Sequence, residues 1–355
     1  MANILYGVNG EGSGHSTRAK DVISHLLSQR HTVHVVSFDR GLKNLGSSFD
    51  VTDIYGLRLV YVNNRVRYKK TVARNLLSVP EAAKSIRDLV RRCREWKIDA
   101  VVTDFEPLSC KVGHKLKLPV ISIDNQHTIT NCKVSYPKKY RKDAAAAKLV
   151  TKLMTPKADA YLMISFFDAP IRKKRSFLFP PLLRREILDA KPTVGEHVLV
   201  YVTTPSKDLL EILQRVRAKF ICYGFGREGV ESNLDFRKPS LDGFMRDLVS
   251  CNAIVANAGF SLISEALYLG KPYLAVPAKS QFEQIFNAYY IEKMGYGAYW
   301  EKLDKEKVDS FLFNVDLYRE QLGSYPRRDN SALLTKLDEL IDKLAMAKSS
   351  AASAR

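Results

Sequence analysis

Apolar residues recur along the chain with two spacings, one typical of strands and one typical of helices. The run NILYGV at residues 3–8 predicts a first strand, and a loop with three glycines follows it. The helix expected next covers residues 16–30, and its apolar residues recur at helical spacing: Ala19, Val22, Ile23, Leu26 and Leu27. The run HTVHVVSF at residues 31–38 then predicts a second strand.

The same order returns later in the first half of the chain. Residues 93–124 predict a strand that ends at Asp104, a helix over 107–116 and a strand over 119–124. Strands that alternate with helices favour a parallel sheet with helices on both faces. The first half of the chain therefore predicts a doubly wound α/β domain.

Two prolines separate this half from a second set of strands and helices. The segment LFPPLLRREI, residues 178–187, predicts a linker, because proline interrupts regular structure. The pattern thus predicts two Rossmann-like α/β domains, over 1–177 and 188–328. An amphipathic helix over 329–347 and a disordered tail over 348–355 follow them.

Composition is that of a water-soluble globular protein, with 46% hydrophobic and 26% charged residues. No apolar run approaches the roughly 18 to 20 residues that span a bilayer. The N-terminus shows no signal peptide, so we expect a cytoplasmic protein that contacts a membrane only peripherally, on its inner face. Five scattered cysteines lack the spacing of a zinc site, and we expect neither a metal nor a cofactor.

Charge is distributed unevenly between the two halves. Residues 1–190 carry a net charge of +17, and residues 191–355 a net charge of +1. Such an excess indicates a polyanionic partner for the first half, either an anionic membrane surface or a nucleic acid. Nothing in the sequence indicates an obligate protein partner.

Residues 252–288 suit the binding of a nucleotide sugar. Gly259 permits a close backbone approach, and Phe260 and Ser261 begin a helix whose N-terminus attracts a diphosphate. One turn further, Glu265 is an ionised acceptor for ribose hydroxyls. Other donor-binding positions are expected in the loops that follow strands and in the next helix, where an acidic residue and an amide would bind sugar hydroxyls: Gly12, Gly14, Thr204, Gly224, Glu283, Gln284 and Asn287.

This segment resembles the donor-binding segment of GT-B glycosyltransferases. The pattern is small-Gly-x-Ser, a glutamate four residues later, Gly-x-Pro, and an acidic residue followed by Gln-x-x-Asn-Ala. It is similar to families 1 and 28, the latter including the peptidoglycan N-acetylglucosaminyltransferase. The stretches GEGSGHSTR, DFEPLS, SIDNQH and FPPLLR further resemble a poorly characterised set of microbial glycosyltransferase-like proteins. The resemblance implies two facing Rossmann-like domains and a nucleotide-sugar donor, usually UDP-linked.

The resemblance also implies a catalytic base in the N-terminal half. In inverting family 1 enzymes, a histidine after the first strand removes the proton of the acceptor hydroxyl, and an aspartate after a later strand holds the histidine ring. His15 and Asp104 match these two positions. An imidazole suits proton transfer at neutral pH. Glu106 and His127 are alternative bases.

The glycine loop permits other interpretations. Gly10, Gly12 and Gly14 resemble a nicotinamide-dinucleotide fingerprint, and Asp39 follows the second strand, although the third glycine comes one residue early. The chain could therefore be an oxidoreductase. It could also be a nucleotide-sugar 2-epimerase, or a non-catalytic binder of sugar nucleotides or nucleic acids.

Basic residues of the N-terminal half predict where the acceptor binds. They cluster at 65–70, 87–94, 136–157 and 172–175, and the third cluster is a lysine-rich, weakly amphipathic stretch suited to anionic headgroups. We expect five acceptor contacts: Asn125, His127, Lys138, Lys139 and Arg141. A lipid-linked or cell-envelope glycan is the favoured acceptor, and a modified DNA base is the second candidate.

Overall fold

Two seven-stranded sheets, each flanked by helices, build the chain. The computed structural model describes residues 1–355 except 57–60, 63–64, 67–78, 204–206, 239, 279–280 and 354–355, and it describes only the backbone of 61–62, 65–66, 79, 241 and 344–353. The predicted α/β class with two doubly wound domains is confirmed.

The N-terminal domain runs from β1 to β9. Its strands are β1 (Asn3–Val8), β2 (Thr32–Ser37), β3 (Val51–Asp53), β4 (Tyr61–Val62), β5 (Arg65–Val66), β6 (Ala100–Asp104), β7 (Val120–Asp124), β8 (Ala160–Ile164) and β9 (Ser176–Phe179). Its helices are α1 (Gly14–Ser28), α2 (Asp39–Leu45), α3 (Val79–Glu95), α4 (Pro107–Leu116), α5 (Thr128–Asn131) and α6 (Arg141–Met154), with a 3₁₀ turn at Lys138–Tyr140 before α6.

The C-terminal domain follows the short helix α7 (Arg185–Leu188). Its strands are β10 (His197–Tyr201), β11 (Lys219–Tyr223), β12 (Gly229–Glu231), β13 (Leu234–Arg237), β14 (Ala253–Ala256), β15 (Tyr273–Ala275) and β16 (Gly297–Tyr299). The helices are α8 (Lys207–Gln214), α9 (Leu241–Ser250), α10 (Phe260–Tyr268), α11 (Phe282–Lys293), α12 (Lys305–Phe313), α13 (Val315–Leu322) and α14 (Ser331–Ser353).

Strand order places a switch point in the middle of each sheet. The first sheet has the order β3-β2-β1-β6-β7-β8-β9, and the second has the order β12-β13-β11-β10-β14-β15-β16. Within these two sheets all neighbouring strands are parallel except β12 and β13, and β4 and β5 form a separate antiparallel pair. In such sheets a crevice opens at the carboxyl ends of the two strands where the order reverses. These strands are β1 and β6 in the first domain, and β10 and β14 in the second.

An aromatic seam joins the two domains. Phe167, which follows β8, stacks on Tyr290 of α11 with ring centroids 3.6 Å apart. Its neighbour Phe166 lies 5.9 Å from the ring of Phe260, at the start of α10. The hydroxyl of Tyr290 also accepts a hydrogen bond from the backbone N–H of Ser135 at 3.1 Å. Loops at the carboxyl ends of both sheets therefore meet at an apolar contact.

The C-terminal helix α14 packs on the N-terminal domain. Its Leu337 and Ile341 are buried in the same core as β1, and Asp338 lies 2.9 Å from Nε2 of His25 on α1. The helix continues to Ser353, so residues 348–353 are helical where the sequence predicts a disordered tail, and 354–355 lie outside the described residues. The linker expected at 178–187 includes the last residues of β9 and the first residues of α7.

The five cysteines are buried and free. Burial raises the pKa of the Cys110 thiol to about 12, so this residue stays protonated and unreactive at neutral pH. Among the described residues, no helix is both long enough and apolar enough to cross a membrane.

Asp21 on α1 lies near the charged residues 184–186 at the end of the predicted linker. Oδ2 of Asp21 is buried and has no partner among the described residues. Burial raises the pKa of this carboxyl from its ordinary 3.8 to about 6, and the nearby carboxylate of Glu186 adds to the effect, while Arg184 and Arg185 oppose it. The folded chain therefore binds this proton more tightly than the unfolded chain does.

We expect Asp21→Asn to change the pH dependence of stability. Because the pKa is raised in the folded state, the free energy of unfolding should fall as pH rises from about 4 to about 6. The asparagine side chain has no proton to lose, so the variant should not show this fall in stability. It should therefore melt at a higher temperature than the parent at pH 7.5, and the two melting temperatures should be much closer at pH 4. Thermal unfolding at both pH values checks this, with exposed Asp88→Asn as control. Equal shifts at both pH values would contradict it.

Candidate active site

His15 and Asp104 meet at the switch point of the first sheet. Val8 is in register with Asp104, so the loop after β1 and the end of β6 lie at the same edge. Nδ1 of His15 lies 2.7 Å from Oδ1 of Asp104. Asp104 is fully buried, whereas the side chain of His15 is 13% exposed. The imidazole therefore contacts a buried carboxylate on one side and reaches the cleft on the other.

Arg18 shares the same carboxylate one turn further along α1. Its Nε donates to Oδ2 of Asp104 at 2.6 Å, and Nη2 bonds to Oδ1. Nη1 donates to Oδ1 of Asn125 at 3.3 Å. Burial lowers the pKa of Arg18, but Asp104, by its charge and its hydrogen bond, together with Asp124 and Tyr6 raises this pKa overall. Asp104 is thus held between an imidazole and a guanidinium.

Glu106 lies in the interior and not in the cleft. Its carboxylate caps α4 by accepting the backbone N–H groups of Leu108 at 2.8 Å and Ser109 at 2.6 Å. Burial raises the pKa of Glu106, although these hydrogen bonds act in the opposite direction. A fully buried carboxylate with both oxygens bound to backbone cannot reach an acceptor hydroxyl. The structure therefore contradicts the prediction of Glu106 as a base and makes it a helix cap.

A second histidine–aspartate pair lies at the end of β7. Nδ1 of His127 is 2.7 Å from Oδ2 of Asp124. Burial raises the pKa of Asp124, but the charge of His127 and the hydrogen bonds from His127 and Ser122 together lower it to about 2. The ring of His127 packs against Tyr161, with centroids 4.6 Å apart, and His127 is buried. It therefore has no exposed face for an acceptor, contrary to prediction.

Asn257 organises the matching edge of the second sheet. Its Oδ1 accepts the backbone N–H of Thr203 at 2.8 Å, and its Nδ2 donates to the carbonyl of Val276 at 2.9 Å. The ends of β10, β14 and β15 thereby converge on one side chain. Gly224 follows β11 at the same edge with φ of +92°, and an added Cβ would lie 2.0 Å from the carbonyl of Val202. Only glycine permits this approach.

The glycine loop faces α10 across the cleft. An added Cβ on Gly14 would lie 2.5 Å from Oγ of Ser261, so the two domains approach closely here. Helix α10 begins after Gly259, and no side chain caps its first turn. Gly12 has φ of +80°, a conformation that favours glycine. His15 directly follows Gly14, so the imidazole and the start of α10 lie on opposite sides of one narrow opening.

Glu265 is paired with an arginine of the linker. Nη2 of Arg184 donates to Oε2 of Glu265 at 2.9 Å, and Nε lies 2.8 Å from Oε1. Burial raises the pKa of Glu265, and Arg184 opposes this shift. The carboxylate is therefore fixed in place, and each of its oxygens retains lone pairs for further donors.

The polar residues of α11 hold loops and the opposite domain. Oε1 of Glu283 accepts from Nδ2 of Asn125 at 2.9 Å, and Oε2 accepts from Gln126 at 3.4 Å. Gln284 accepts a backbone N–H of the loop after β15 at 2.8 Å. Asn287 donates to the carbonyl before Gly259 at 3.1 Å. Glu283 therefore bridges the domains, and Asn287 supports the loop that leads into α10.

The three basic residues expected to bind the acceptor lie at the start of α6. Lys138, Lys139 and Arg141 are all exposed. Nζ of Lys139 forms an ion pair with Glu301 of the C-terminal domain at 2.5 Å. Thr204, expected at the donor site, lies outside the described residues. Lys138 and Arg141 thus remain the accessible cations of this set.

Sequence reasoning missed three residues that shape the cleft. Arg18 lies three residues after His15, a spacing that puts both on one helix face. Asn257 directly follows a buried strand, which is a usual place for a polar residue at a site. Arg184 stands in the predicted linker, and its partner Glu265 is 81 positions away, so no local pattern indicates it. The ring of Phe260 packs in the aromatic seam, and its backbone N–H belongs to the uncapped first turn of α10.

Comparison with known families agrees with this two-domain cleft. The sequence profile of Glycosyl transferase family 1 matches residues 2–316, most of the chain. The chain belongs to this family. It is therefore a glycosyltransferase, and this assignment decides against an oxidoreductase, a 2-epimerase and a non-catalytic binder.

Two relatives of this family 1 chain are uncharacterised glycosyltransferases from species of Methanosarcina. The protein of Methanosarcina acetivorans is 26% identical over 339 residues, which cover 83% of this chain and 84% of the relative. The protein of Methanosarcina mazei is 24% identical over 379 residues, covering 96% and 95% of the two chains. The similarity thus extends over both domains.

Solved glycosyltransferase structures share the fold of this family 1 chain. The glycotransferase of kitacinnamycin superposes with a TM-score of 0.71 at 15% identity, covering 97% of this chain and 99% of its own. Arabidopsis thaliana UGT89C1, complexed with UDP-L-rhamnose, gives 0.69 at 16% identity, with the same coverage. MurG of Acinetobacter baumannii gives 0.60 at 15% identity, covering 96% and 99%. The GT-B arrangement expected from the sequence is confirmed.

We expect Arg18→Met to destabilise the family 1 chain by about 3 kcal/mol, because removal of one partner leaves a buried charge incompletely paired. Asp104 would keep only His15, and Asn125 would lose a donor. Urea unfolding at neutral pH measures the loss. Arg172→Met, at an exposed position, is the matched control. Similar losses in the two variants would show that the shared carboxylate is not a major support of the fold.

Proposed function

We propose that the enzyme transfers a sugar from a nucleotide sugar, UDP-linked by resemblance, to an acceptor hydroxyl, with inversion at the anomeric carbon. The contact that carries the proposal is the 2.7 Å pair of His15 and Asp104 beside the start of α10. The C-terminal domain binds the donor and the N-terminal domain binds the acceptor.

His15 acts as the general base in this proposal. Nδ1 lies 2.7 Å from Oδ1 of Asp104 and 2.8 Å from Nη2 of Arg18. In the proposed mechanism the neutral ring carries its proton on Nδ1, toward Asp104, and presents the lone pair of Nε2. No hydrogen bond to Nε2 is present among the described residues. Nε2 takes the proton of the acceptor hydroxyl while the hydroxyl oxygen attacks the anomeric carbon. Asp104 then stabilises the imidazolium that forms.

The donor's leaving diphosphate lies at the N-terminus of α10. The first N–H groups of this helix have no side-chain cap, and the helix dipole favours negative charge there. The bond from the anomeric carbon to the diphosphate oxygen breaks toward this end, where the charge is stabilised without a metal ion. Glu265 binds the ribose hydroxyls, and Glu283 and Gln284 bind hydroxyls of the transferred sugar.

The acceptor is a lipid-linked or cell-envelope glycan. The basic excess of residues 1–190 supports this, because such acceptors lie at anionic surfaces. Lys138 and Arg141, exposed at the start of α6, are the side chains suited to contact an anionic group on the acceptor.

We expect His15→Ala to lower turnover by roughly 10² to 10⁴, the usual contribution of a general base. Donor affinity should stay the same, because the imidazole acts on the acceptor. Release of nucleoside diphosphate from a panel of nucleotide sugars measures turnover, and titration calorimetry measures donor affinity. His114→Ala, on α4 away from the cleft, is the control. Parent-like turnover of His15→Ala would remove this residue from the mechanism.

We expect Glu265→Ala to weaken donor binding about tenfold or more, because hydrogen bonds to a charged group each contribute roughly 1.5 to 3 kcal/mol. Calorimetric titration with the nucleotide sugar measures this. Loss of the carboxylate also leaves Arg184 unpaired, so the melting temperature is recorded for each variant. Glu211→Ala, exposed on α8, is the control. Unaltered affinity in a folded Glu265→Ala protein would show that the donor binds elsewhere.

A further inference from the structure

Helix α6 presents an apolar ridge to solvent. Leu149 is 59% exposed and Leu153 is 64% exposed, one turn apart on the same face, and Ala145 is exposed one turn earlier. The opposite face is buried at Ala144 and Thr151. Residues four positions apart are neighbours on a helix surface, so the two leucines form a continuous ridge. We call Ala145, Leu149 and Leu153 the α6 ridge.

Most cations around the α6 ridge have no carboxylate partner among the described residues. Residues 138–157 contain seven Lys or Arg and a single Asp. Lys142 and Lys152 are exposed, and neither forms an ion pair with a described residue. Surface cations of the C-terminal domain are often paired, as Lys219 is with Glu196 at 2.7 Å. The charge around the ridge is therefore available to an anionic partner.

A second basic segment lies next to the end of α6. Residues 171–175 have the sequence IRKKR, and all five are exposed. Nζ of Lys173 donates to the hydroxyl of Tyr161 at 2.9 Å, and Arg175 lies 3.8 Å from Asp159. Both partners follow α6 within a few residues, so this loop extends the basic surface beyond the C-terminal end of the helix.

We propose that the α6 ridge docks the enzyme on the surface of an anionic lipid bilayer. Leu149 and Leu153 would enter the headgroup boundary while Lys142 and Lys152 contact lipid phosphates, as in interfacial amphipathic helices. A nucleic acid explains the cations but not the leucines, because contacts to phosphates need no apolar ridge. The choice of a lipid-linked acceptor rests on the proposed function. The docking itself does not.

Docking through α6 would bring the cleft to the bilayer. Helix α6 packs against α11, which carries Glu283, and the turn before α6 reaches the C-terminal domain through Lys139 and Glu301. The surface that would touch lipid is therefore a direct neighbour of the cleft. A sugar acceptor anchored in the same bilayer could enter the cleft without leaving the membrane.

Sedimentation with vesicles tests the docking surface. The full chain is mixed with vesicles of phosphatidylglycerol and phosphatidylcholine, and with vesicles of phosphatidylcholine alone. We expect binding to the anionic vesicles only. The double variant Leu149→Glu/Leu153→Glu should bind more than about tenfold more weakly, from the lost apolar contact and the added charge. Lys142→Gln/Lys152→Gln should bind roughly fivefold more weakly per lysine, with a smaller difference at high salt.

Matched controls separate the ridge from exposed leucines in general. Leu317→Glu, at a leucine 60% exposed on α13, should bind vesicles like the parent. In the variant Leu149→Trp, brominated lipid should quench the tryptophan fluorescence. This readout does not depend on a change of charge. Parent-like vesicle binding by Leu149→Glu/Leu153→Glu, or absence of quenching, would overturn the proposal.

Two further measurements distinguish lipid docking from nucleic-acid binding and from donor binding. If duplex DNA displaces the protein from vesicles and the leucine variant binds DNA as well as the parent does, the surface recognises nucleic acid and the proposal is wrong. Donor affinity is titrated without vesicles in every variant. If the leucine variant loses vesicle binding but keeps its donor affinity, the result supports the docking surface. If the parent protein binds no donor, the proposed function is contradicted, and the vesicle result is unaffected.

Discussion

The cleft depends on a fully buried carboxylate, Asp104, shared by an imidazole and a guanidinium. A carboxylate in the interior costs several kcal/mol of desolvation unless its partners are close and well oriented. Asp104 contacts both His15 and Arg18. Because its buried negative charge requires close partners, it fixes where the imidazole of His15 lies. The end of β6 and the first turn of α1 are therefore held together by charge, at the point where the strand order opens a crevice.

The same arginine extends this contact to the second domain. Nη1 of Arg18 donates to Asn125, and Asn125 donates to Glu283 on α11. A polar chain thus runs from the proposed base to the proposed sugar-binding residue, beside an aromatic seam formed by Phe167 and Tyr290. Apolar contacts of this kind tolerate small shifts, whereas hydrogen bonds require defined distances and angles. The seam holds the domains together, and the polar chain sets how they face each other.

Local pattern was enough to predict the elements of the fold, and resemblance was enough to predict that His15 and Asp104 meet. Alternation of strands and helices depends on neighbours in sequence, which is why the helix over 107–116 has the same ends in the structure. Contacts between distant positions left no such signal: Arg184 binds Glu265, and α14 returns to the first domain. The prediction for Glu106 was wrong because a carboxylate after a strand suits both a helix cap and a site, and only burial distinguishes them.

The charge difference between the two halves comes mainly from 34 Lys and Arg in residues 1–190 against 22 in residues 191–355, and burial of carboxylates adds to it at the surface. Glu106 and Asp124 lie inside the N-terminal domain, where one caps a helix and the other holds His127, so neither can neutralise a cation on the surface. In the C-terminal domain, carboxylates such as Glu196 and Asp309 remain outside and pair with lysines. Glu106 and Asp124 are therefore unavailable to pair with surface lysines, and Lys142 and Lys152 of α6 have no ion-pair partner among the described residues. The periodicity of a helix sequence does not show which face a neighbouring element covers. Leu149 and Leu153 are exposed because α6 packs against α11 through a different face.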